Sequence, residues 1–313
     1  MKTNDLIFKE LLLRGFDLEG KTRVWNIADS KLWYLTPSQA QGFLNLEKNE
    51  SYKKSIIVKE ISLINKYLTS FLKELPFKTY NLIDLGCGDG KKASLFIKEF
   101  SKHLSIRYCP IDISAYMVNK AAHAIKKLKI GEVLKLKWNI SDFENLDNVT
   151  PLFRDVDFEH HFMMLLGNTL GNFDRDDILH GIKNSMAKDD VLLIGNGISN
   201  GRKSEEWIKD YKDEKINQWL IKVPLSLGLK ENDVKYEVRF VNSRIEEIYI
   251  LQKNISVKHL GKTVNFKEGD IIVVAISYKY TKDKFEQNIQ KFFSDVKIYV
   301  DKDKSYALAF CRK

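Results

Sequence analysis

Apolar residues recur with a helical period in two segments of the first quarter of the chain. Residues 4–14 form the first of these segments, and residues 56–74 form a longer one that predicts an amphipathic helix. Residues 17–50, between them, follow neither a helical nor a strand period, so we expect irregular structure there. The regular part of the fold should therefore begin near residue 56.

Short apolar runs then alternate with amphipathic segments. The apolar runs predict strands at 81–85, 106–111, 133–139, 161–166 and 191–195. The amphipathic segments predict helices at 91–100, 115–128 and 175–187. Because strands alternate with helices, we expect an α/β fold with a parallel, Rossmann-like sheet and helices on both of its faces.

The pattern changes after residue 196. A helical segment at 204–222 precedes apolar, strand-like segments at 234–241, 244–252 and 271–278, and strands in such close succession indicate an antiparallel sheet. A helix at 284–293 and a strand hairpin, 296–300 with 305–311, close the chain. We predict two domains: 56–196 with 281–313, and a second α+β, substrate-binding domain of 1–55 with 197–280.

Composition adds only broad limits. The 313 residues are 44% hydrophobic, which suits one large domain or two modest ones. No apolar run reaches the length of about 18 residues that a membrane span needs, and no signal peptide is evident, so we expect a cytoplasmic protein without membrane contact. Three cysteines in no zinc-like spacing indicate reduced thiols, and the adjacent His160 and His161 suggest no metal site.

The formal net charge of +9 admits a nucleic-acid partner. The lysines are scattered and acidic residues lie among them, which favours a lysine-rich solvent-exposed surface instead. A nucleic-acid partner is therefore possible but not favoured. We expect a monomer that acts on a small molecule.

The sequence Asp84-Leu85-Gly86-Cys87-Gly88-Asp89-Gly90 joins the first predicted strand of the sheet to a helix. Glycines allow a sharp turn and a close approach of the backbone to a ligand. A dinucleotide site would use similar geometry, but acids in the turn repel a pyrophosphate and suit a cationic amino group. A glycine-rich turn without any ligand is the alternative.

Asp112 ends the second strand, 22 residues after Gly90, where a carboxylate can accept both hydroxyl protons of a ribose. The alternative is a cap for the helix that starts near Ser114. Asp142 and Phe143 follow the third strand and could bind an adenine amino group and cover its ring, or form an ordinary capped loop.

Two Gly-Asn steps, in Gly167-Asn168-Thr169-Leu170-Gly171-Asn172, follow the fourth strand. Such steps suit tight or left-handed backbone. The Asn172 amide could face a substrate amine or carboxylate, or it could only cap the next helix.

The glycine turn, Asp112 and the pair Asp142-Phe143 together resemble class I S-adenosylmethionine (SAM) methyltransferases. The resemblance implies SAM as the cofactor, with S-adenosylhomocysteine as its product. It further implies cofactor contacts from Asp84, Gly86, Gly88, Gly90, Lys91, Asp112, Asp142, Phe143 and Gly167.

The segment 167–172 more narrowly resembles the Gly-Ser-Thr-Ile-Gly-Asn segment of the histidine Nα-methyltransferases of ergothioneine biosynthesis. Trp33-Tyr34, Glu50-Ser51-Tyr52, Tyr211-Lys212-Asp213, Arg244-Ile245-Glu246 and the segment 276–280 are similar to further segments of that family. The resemblance implies N-methylation of an amino acid, with Asn172 and Tyr211 as catalytic residues. It implies substrate contacts from Tyr34, Tyr52, Asn172, Tyr211, Glu247 and Ser277.

The sequence departs from that family in the acceptor pocket. The glutamate that grips the imidazole in the family corresponds to Ala275, and a methionine after Arg-Ile-Glu corresponds to Glu247. We expect an N-methyltransferase for the α-amino group of an amino acid or related small amine, either histidine or a variant substrate. The alternative is an RNA or protein methyltransferase that uses the basic surface.

Overall fold

A computed structural model describes residues 3–49 and 56–313. The chain divides into two compact units, the first of Met1–Leu46 with Arg202–Lys279 and the second of Glu47–Gly201 with Tyr280–Lys313. The predicted substrate-binding domain corresponds to the first unit, except that residues 47–49, 197–201 and 280 lie in the second unit. No helix of the described residues is long and apolar enough to cross a membrane.

The strands are numbered in chain order. They are β1 Asp17–Glu19, β2 Thr22–Asn26, β3 Thr79–Leu85, β4 Ser105–Ile111, β5 Glu132–Val133, β6 His161–Leu165, β7 Val191–Ser199, β8 Val234–Val241, β9 Arg244–Leu251, β10 Ile255–His259, β11 Lys262–Phe266, β12 Ile271–Tyr278, β13 Tyr280–Thr281, β14 Asp295–Val300 and β15 Tyr306–Arg312.

The α-helices are numbered in the same way. They are α1 Thr3–Arg14, α2 Pro37–Leu46, α3 Val58–Lys73, α4 Lys91–Phe100, α5 Ala115–Lys126, α6 Leu146–Val149, α7 Arg175–Ser185, α8 Ser204–Tyr211, α9 Glu214–Leu220, α10 Lys222–Ser226 and α11 Lys282–Gln290.

The second unit contains a mostly parallel sheet with the order β14-β15-β7-β6-β3-β4-β5. β15 runs antiparallel to β7 and forms the predicted hairpin with β14. The residues of β6 are all buried, as are all but the first of β3, so these strands read as continuous apolar runs. This Rossmann-like sheet with its helices confirms the predicted fold class.

The strand order reverses between β3 and β6. From β3 the chain moves outward to β4 and β5, and it then returns to the other side of β3 to form β6 and β7. In open α/β sheets a ligand binds at the carboxyl ends of the strands where the order reverses in this way. The glycine turn follows β3 and the segment 167–172 follows β6, so both lie at that point.

The first unit is built on a separate, largely antiparallel sheet. Its order is β1-β2-β12-β9-β8, with β12 parallel to β2, and β10 and β11 form an additional hairpin. In the centre of the sheet, Ala275 of β12 pairs with Glu247 of β9, and Val238 of β8 pairs with the other side of Glu247. Since side chains alternate along a strand, these three residues share one face of the sheet.

The structure corrects several sequence predictions. Residues 17–50 contain β1, β2 and α2 rather than only irregular structure, and the hairpin of β10 and β11 was not predicted. The helix predicted over 204–222 is broken after α8, because Asp213 accepts a hydrogen bond from Lys215 N at 2.8 Å and caps α9. A second break separates α9 from α10.

The strand predicted at 133–139 is also wrong beyond Val133. Residues Lys137–Asn139 form a 3-10 turn. The Asn139 side chain explains the difference, since it accepts from Leu136 N at 2.5 Å and donates to Pro110 O at 2.6 Å. These side-chain hydrogen bonds to the backbone replace the strand ladder.

Candidate functional site

The glycine turn after β3 adopts the left-handed backbone that its glycines permit. The φ angles of Gly86, Gly88 and Gly90 are +69°, +53° and +76°. The N–H groups of Gly86 and Cys87 donate to Ile111 O at 2.8 and 3.2 Å, which ties the turn to the end of β4. The chain can therefore reverse at the end of β3 and enter α4 directly.

Gly90 is also restricted by its neighbours, and this gives a first prediction. A Cβ on Gly90 would lie 3.0 Å from Ala121 Cα of α5, whereas a Cβ on Gly88 would meet nothing within 4 Å. Both substitutions to alanine cost about 1–2 kcal/mol of left-handed backbone strain. We expect Gly90→Ala to lose about 1–3 kcal/mol more, because backbone must move. Urea unfolding of the two variants measures the difference, and equal losses would contradict it.

Two buried acids stand beside the turn. Asp84, at the end of β3, accepts a hydrogen bond from the Tyr108 hydroxyl at 2.8 Å. Burial raises the pKa of Asp84 to about 7, and the Tyr108 hydrogen bond offsets part of the rise. The second acid, Asp112, accepts from Ser114 N at 2.9 Å and from Gly88 N at 3.5 Å, and burial raises its pKa to about 6.

The loop after β6 has a constrained backbone. Gly167 and Asn168 have φ angles of +78° and +64°, and the 3-10 turn Thr169–Asn172 follows them. The Asn168 side chain accepts from Gly197 N at 2.5 Å. Asp174 caps α7 by accepting from Asp176 N and Asp177 N. The alternative interpretation of Asn172 as the cap of this helix is therefore wrong.

The loops that follow β3, β6 and the segment 137–139 meet at Gly86. A Cβ on Gly86 would lie 3.5 Å from Phe143 Cζ and 3.8 Å from Thr169 Oγ1. Asp142 accepts from Glu144 N at 3.3 Å and so holds the short turn that carries Phe143. The structure thus brings the predicted adenine-covering ring to the edge of the glycine turn.

Sequence reasoning missed a buried ion pair behind this turn. Glu60 of α3 is fully buried, and its carboxylate lies 2.8 Å from the ammonium of Lys92 in α4. The same carboxylate accepts from Gly167 N at 2.8 Å and from the Tyr306 hydroxyl at 2.5 Å. By contrast the side chain of Lys91, the predicted cofactor residue, is 71% exposed and pairs with Asp89 at 2.5 Å.

Lys92 is therefore the lysine that the fold directs into this region. A Cβ on Gly167 would lie 2.5 Å from Lys92 Nζ. The lysine ammonium thus contacts the backbone at the start of the Asn172 loop.

In the first unit, the predicted substrate residues Tyr211 and Ser277 are hydrogen-bonded to each other. The Tyr211 hydroxyl donates to Ser277 Oγ at 3.0 Å. The Lys279 ammonium, which the sequence did not single out, donates to the Tyr211 hydroxyl at 2.6 Å and to Ser277 Oγ at 2.8 Å. These three residues, here called the hydroxyl–ammonium cluster, carry one positive charge.

Glu247 lies on the same sheet as this cluster. Burial raises its pKa to about 7, while the Lys279 charge and a Tyr236 hydrogen bond lower it. The Tyr236 hydroxyl lies 3.5 Å from Glu247 Oε1 and 3.0 Å from Tyr211 O. Because Glu247 pairs with Ala275, and Ser277 is two residues further along β12, Glu247 and Ser277 face the same side of the sheet.

Tyr34, another predicted substrate residue, lies in a different part of the first unit's side-chain packing. Tyr34 packs in an aromatic group, with ring centroids 5.3 Å from Phe43, 5.7 Å from Trp219 and 6.2 Å from Trp33. Tyr52 lies outside the described residues.

Comparison with known proteins identifies one family. A family model described as histidine-specific methyltransferase, SAM-dependent, matches residues 49–313. None of the curated proteins matches the sequence.

Solved structures that are similar to the chain include a SAM-dependent methyltransferase from Clostridium acetobutylicum, at 14% identity and a TM-score of 0.45, covering 87% of this chain and 98% of that one. A putative methyltransferase from Thermobifida fusca has 10% identity and a TM-score of 0.47, covering 92% and 94%. The match to the family model, rather than these two structures, carries the assignment.

Proposed function

Because the chain belongs to the family of histidine-specific, SAM-dependent methyltransferases, we propose that it methylates the α-amino group of an amino acid. It is a SAM-dependent methyltransferase with a Rossmann-like sheet. The observation that most supports an amino-acid acceptor lies in the first unit. The buried Glu247 shares a sheet face with Ser277, and Ser277 belongs to the hydroxyl–ammonium cluster.

The residues around the glycine turn fit SAM. Its methionine ammonium would pair with Asp84, and Lys91 at the start of α4 is the proposed contact for its carboxylate. Asp112 would accept the ribose hydroxyl protons with the lone pairs that Ser114 N and Gly88 N leave available. Asp142 and Phe143 would hold the adenine, and Gly86, Gly88, Gly90 and Gly167 let the backbone come close.

SAM supplies a methyl group that its sulfonium already activates, so the protein mainly has to position an uncharged amine. We assign the orientation of that amine to the Asn172 amide oxygen, and the binding of the acceptor to Tyr211, Ser277 and Glu247. Tyr34 and Tyr52 are further proposed contacts through the family resemblance. Water can take the proton of the α-ammonium, and no side chain is assigned as the base.

The acceptor pocket differs from the family pattern in the position of its acid. Ala275 stands where the family has a glutamate, and Glu247 is the direct cross-strand neighbour of Ala275. Cβ atoms of such neighbours lie about 4.5–5.5 Å apart. A carboxylate at Glu247 instead of at position 275 could still accept a hydrogen bond from the acceptor side chain. The acceptor would then be histidine bound in a shifted position, or an amino acid with a side chain of a different shape.

The raised pKa values predict how SAM affinity depends on pH. SAM binding requires the ionised forms of Asp84 and Asp112, with pKa values of about 7 and about 6 in the ligand-free protein. Affinity should therefore fall as pH falls from 7.5 to 5.5, approaching tenfold per pH unit for each group below its pKa. The Asp84→Asn variant should bind SAM weakly, and it should no longer show the fall in affinity that begins near pH 7. Calorimetric titration measures both, and an affinity independent of pH would contradict the assignment.

The proposed activity is tested with a panel of the twenty amino acids, biogenic amines, a peptide mixture and total RNA. Each is incubated with SAM, and release of S-adenosylhomocysteine is followed, with mass spectrometry of the product. We expect turnover of one or a few amino acids and a mass increase at the α-amino group. Turnover of RNA or peptides without turnover of an amino acid would refute the proposal and favour the alternative acceptor class.

A further inference from the structure

Among the described residues the Lys279 ammonium forms no ion pair, although its charge lowers the pKa of Glu247. Within residues 3–49 and 56–313, no carboxylate oxygen lies within 4.0 Å of its Nζ. Its neighbours are two hydroxyls and two aromatic rings, those of Trp207 at 5.0 Å and Tyr211 at 4.5 Å. The side chain is half-buried. An ammonium without an acidic partner in such a place favours an anionic ligand.

The directions of the hydrogen bonds show what the cluster offers to a ligand. An ammonium only donates, so the oxygens of Tyr211 and Ser277 both accept from Lys279. The Tyr211 proton is used within the cluster, because it is donated to Ser277 Oγ. The Ser277 proton has no acceptor inside the cluster. The hydroxyl–ammonium cluster therefore presents a donor and a positive charge, which suits a carboxylate.

Glu247 places a carboxylate on the sheet face that also carries Ser277. Among the described residues no lysine or arginine nitrogen lies within 4.0 Å of its carboxylate. Its nearest donor is the Tyr236 hydroxyl at 3.5 Å, a long hydrogen bond. A buried carboxylate whose hydrogen bond is this long favours a ligand that carries a hydrogen-bond donor. A ligand with a carboxylate at one point and a donor group at another would satisfy both residues.

From this arrangement we propose that Lys279 determines acceptor specificity: its charge selects acceptors that carry a carboxylate and excludes the corresponding decarboxylated amines. The inference rests on the proposed function and names the residue whose charge would make an amino acid, rather than the corresponding amine, the acceptor. Lys279 also orients the hydroxyl groups of Tyr211 and Ser277, because it donates a hydrogen bond to the oxygen of each.

The test measures binding separately from methyl transfer. With saturating S-adenosylhomocysteine, calorimetry compares pairs that differ only in the carboxylate: L-histidine and histamine, L-lysine and cadaverine, L-tryptophan and tryptamine, L-arginine and agmatine. For each pair that binds, we expect the amino acid to bind about 10- to 100-fold more tightly. Lys279→Met should remove most of this preference, and Lys279→Arg should retain much of it.

Lys258→Met is the matched control, because Lys258 is an exposed lysine of β10 in the same unit. It should leave every affinity unchanged. A purely structural role for Lys279 would weaken both members of a pair equally, and that result would overturn the proposal. Equal wild-type affinities within a pair, or no binding by any amino acid, would also overturn it.

The two proposals fail in different ways. If amino acids bind with the expected preference but release no S-adenosylhomocysteine from SAM, the proposed methylation fails and the role of Lys279 stands. If amino acids and amines are methylated equally well, the methylation stands and the role of Lys279 fails.

Discussion

Glu60→Gln should lower the free energy of unfolding by about 3–5 kcal/mol. The substitution keeps the shape of the side chain but leaves the Lys92 ammonium without its carboxylate, which lies 2.8 Å away in the native protein. Gly167 N and the Tyr306 hydroxyl both donate to Oε1, whereas Lys92 lies at Oε2, so a glutamine that still accepts the two hydrogen bonds must turn its NH2 group toward the Lys92 ammonium. The Glu60 side chain is fully buried and the Lys92 side chain is only 22% exposed, so water compensates the lost ion pair only in part.

Urea unfolding followed by circular dichroism measures this loss. Glu99→Gln is the control, because Glu99 pairs with Lys102 at 2.6 Å at the surface of α4 and should contribute less than about 1 kcal/mol. The double variant Glu60→Gln, Lys92→Met should be less destabilised than the sum of its single changes, since it contains no unpaired charge. A loss below about 1 kcal/mol for Glu60→Gln would contradict the structural role of the pair.

The helical period could have shown which lysine of α4 faces the interior. Lys92, Phe96 and Phe100 recur every four residues and so share one face of α4, and both phenylalanines are fully buried. Lys91 and Lys98 lie on the exposed face. The family resemblance instead implied Lys91 as the cofactor residue. The partner, Glu60, lies about thirty residues earlier, and only the tertiary structure brings it to Lys92.

The glycine turn was predictable because its chemistry is local. The requirement for φ > 0 at three positions and the change from strand to helix lie within seven residues. The hydroxyl–ammonium cluster combines Tyr211 from the end of α8 with Ser277 of β12 and Lys279 just beyond it. The resemblance could identify Tyr211 and Ser277 one by one. Their hydrogen bonds to Lys279 depend on how a helix docks on a sheet, which periodicity does not specify.

The pairing of Ala275 with Glu247 could be predicted only in part. Both positions were noted as departures from the family pattern, and their pairing follows from the register of β12 and β9. That register includes a bulge between Val273 and Ala275, and a shift of one residue would turn Ala275 to the other face. Sequence could therefore name the two residues but could not place them opposite each other.

Asn172→Ala should reduce kcat/KM for the best amino-acid acceptor by about 10²–10³-fold. The amide would no longer hold the amine in line with the methyl group, while the residues around the glycine turn remain. SAM affinity should therefore change less than about threefold. Stability should also change little, because Asp174 rather than Asn172 caps α7.

Two further variants separate this role from a general disturbance of the loop. Asn148→Ala removes an exposed asparagine amide that donates to Asn145 Oδ1 at 2.8 Å, and it should retain full activity. Asn172→Asp keeps an oxygen at the same place but adds a negative charge, which raises the pKa of the bound amine. Its activity should thus be low at pH 7 and recover in part as pH rises, because the amine then loses its proton. Wild-type activity of Asn172→Ala at any pH would remove Asn172 from the mechanism.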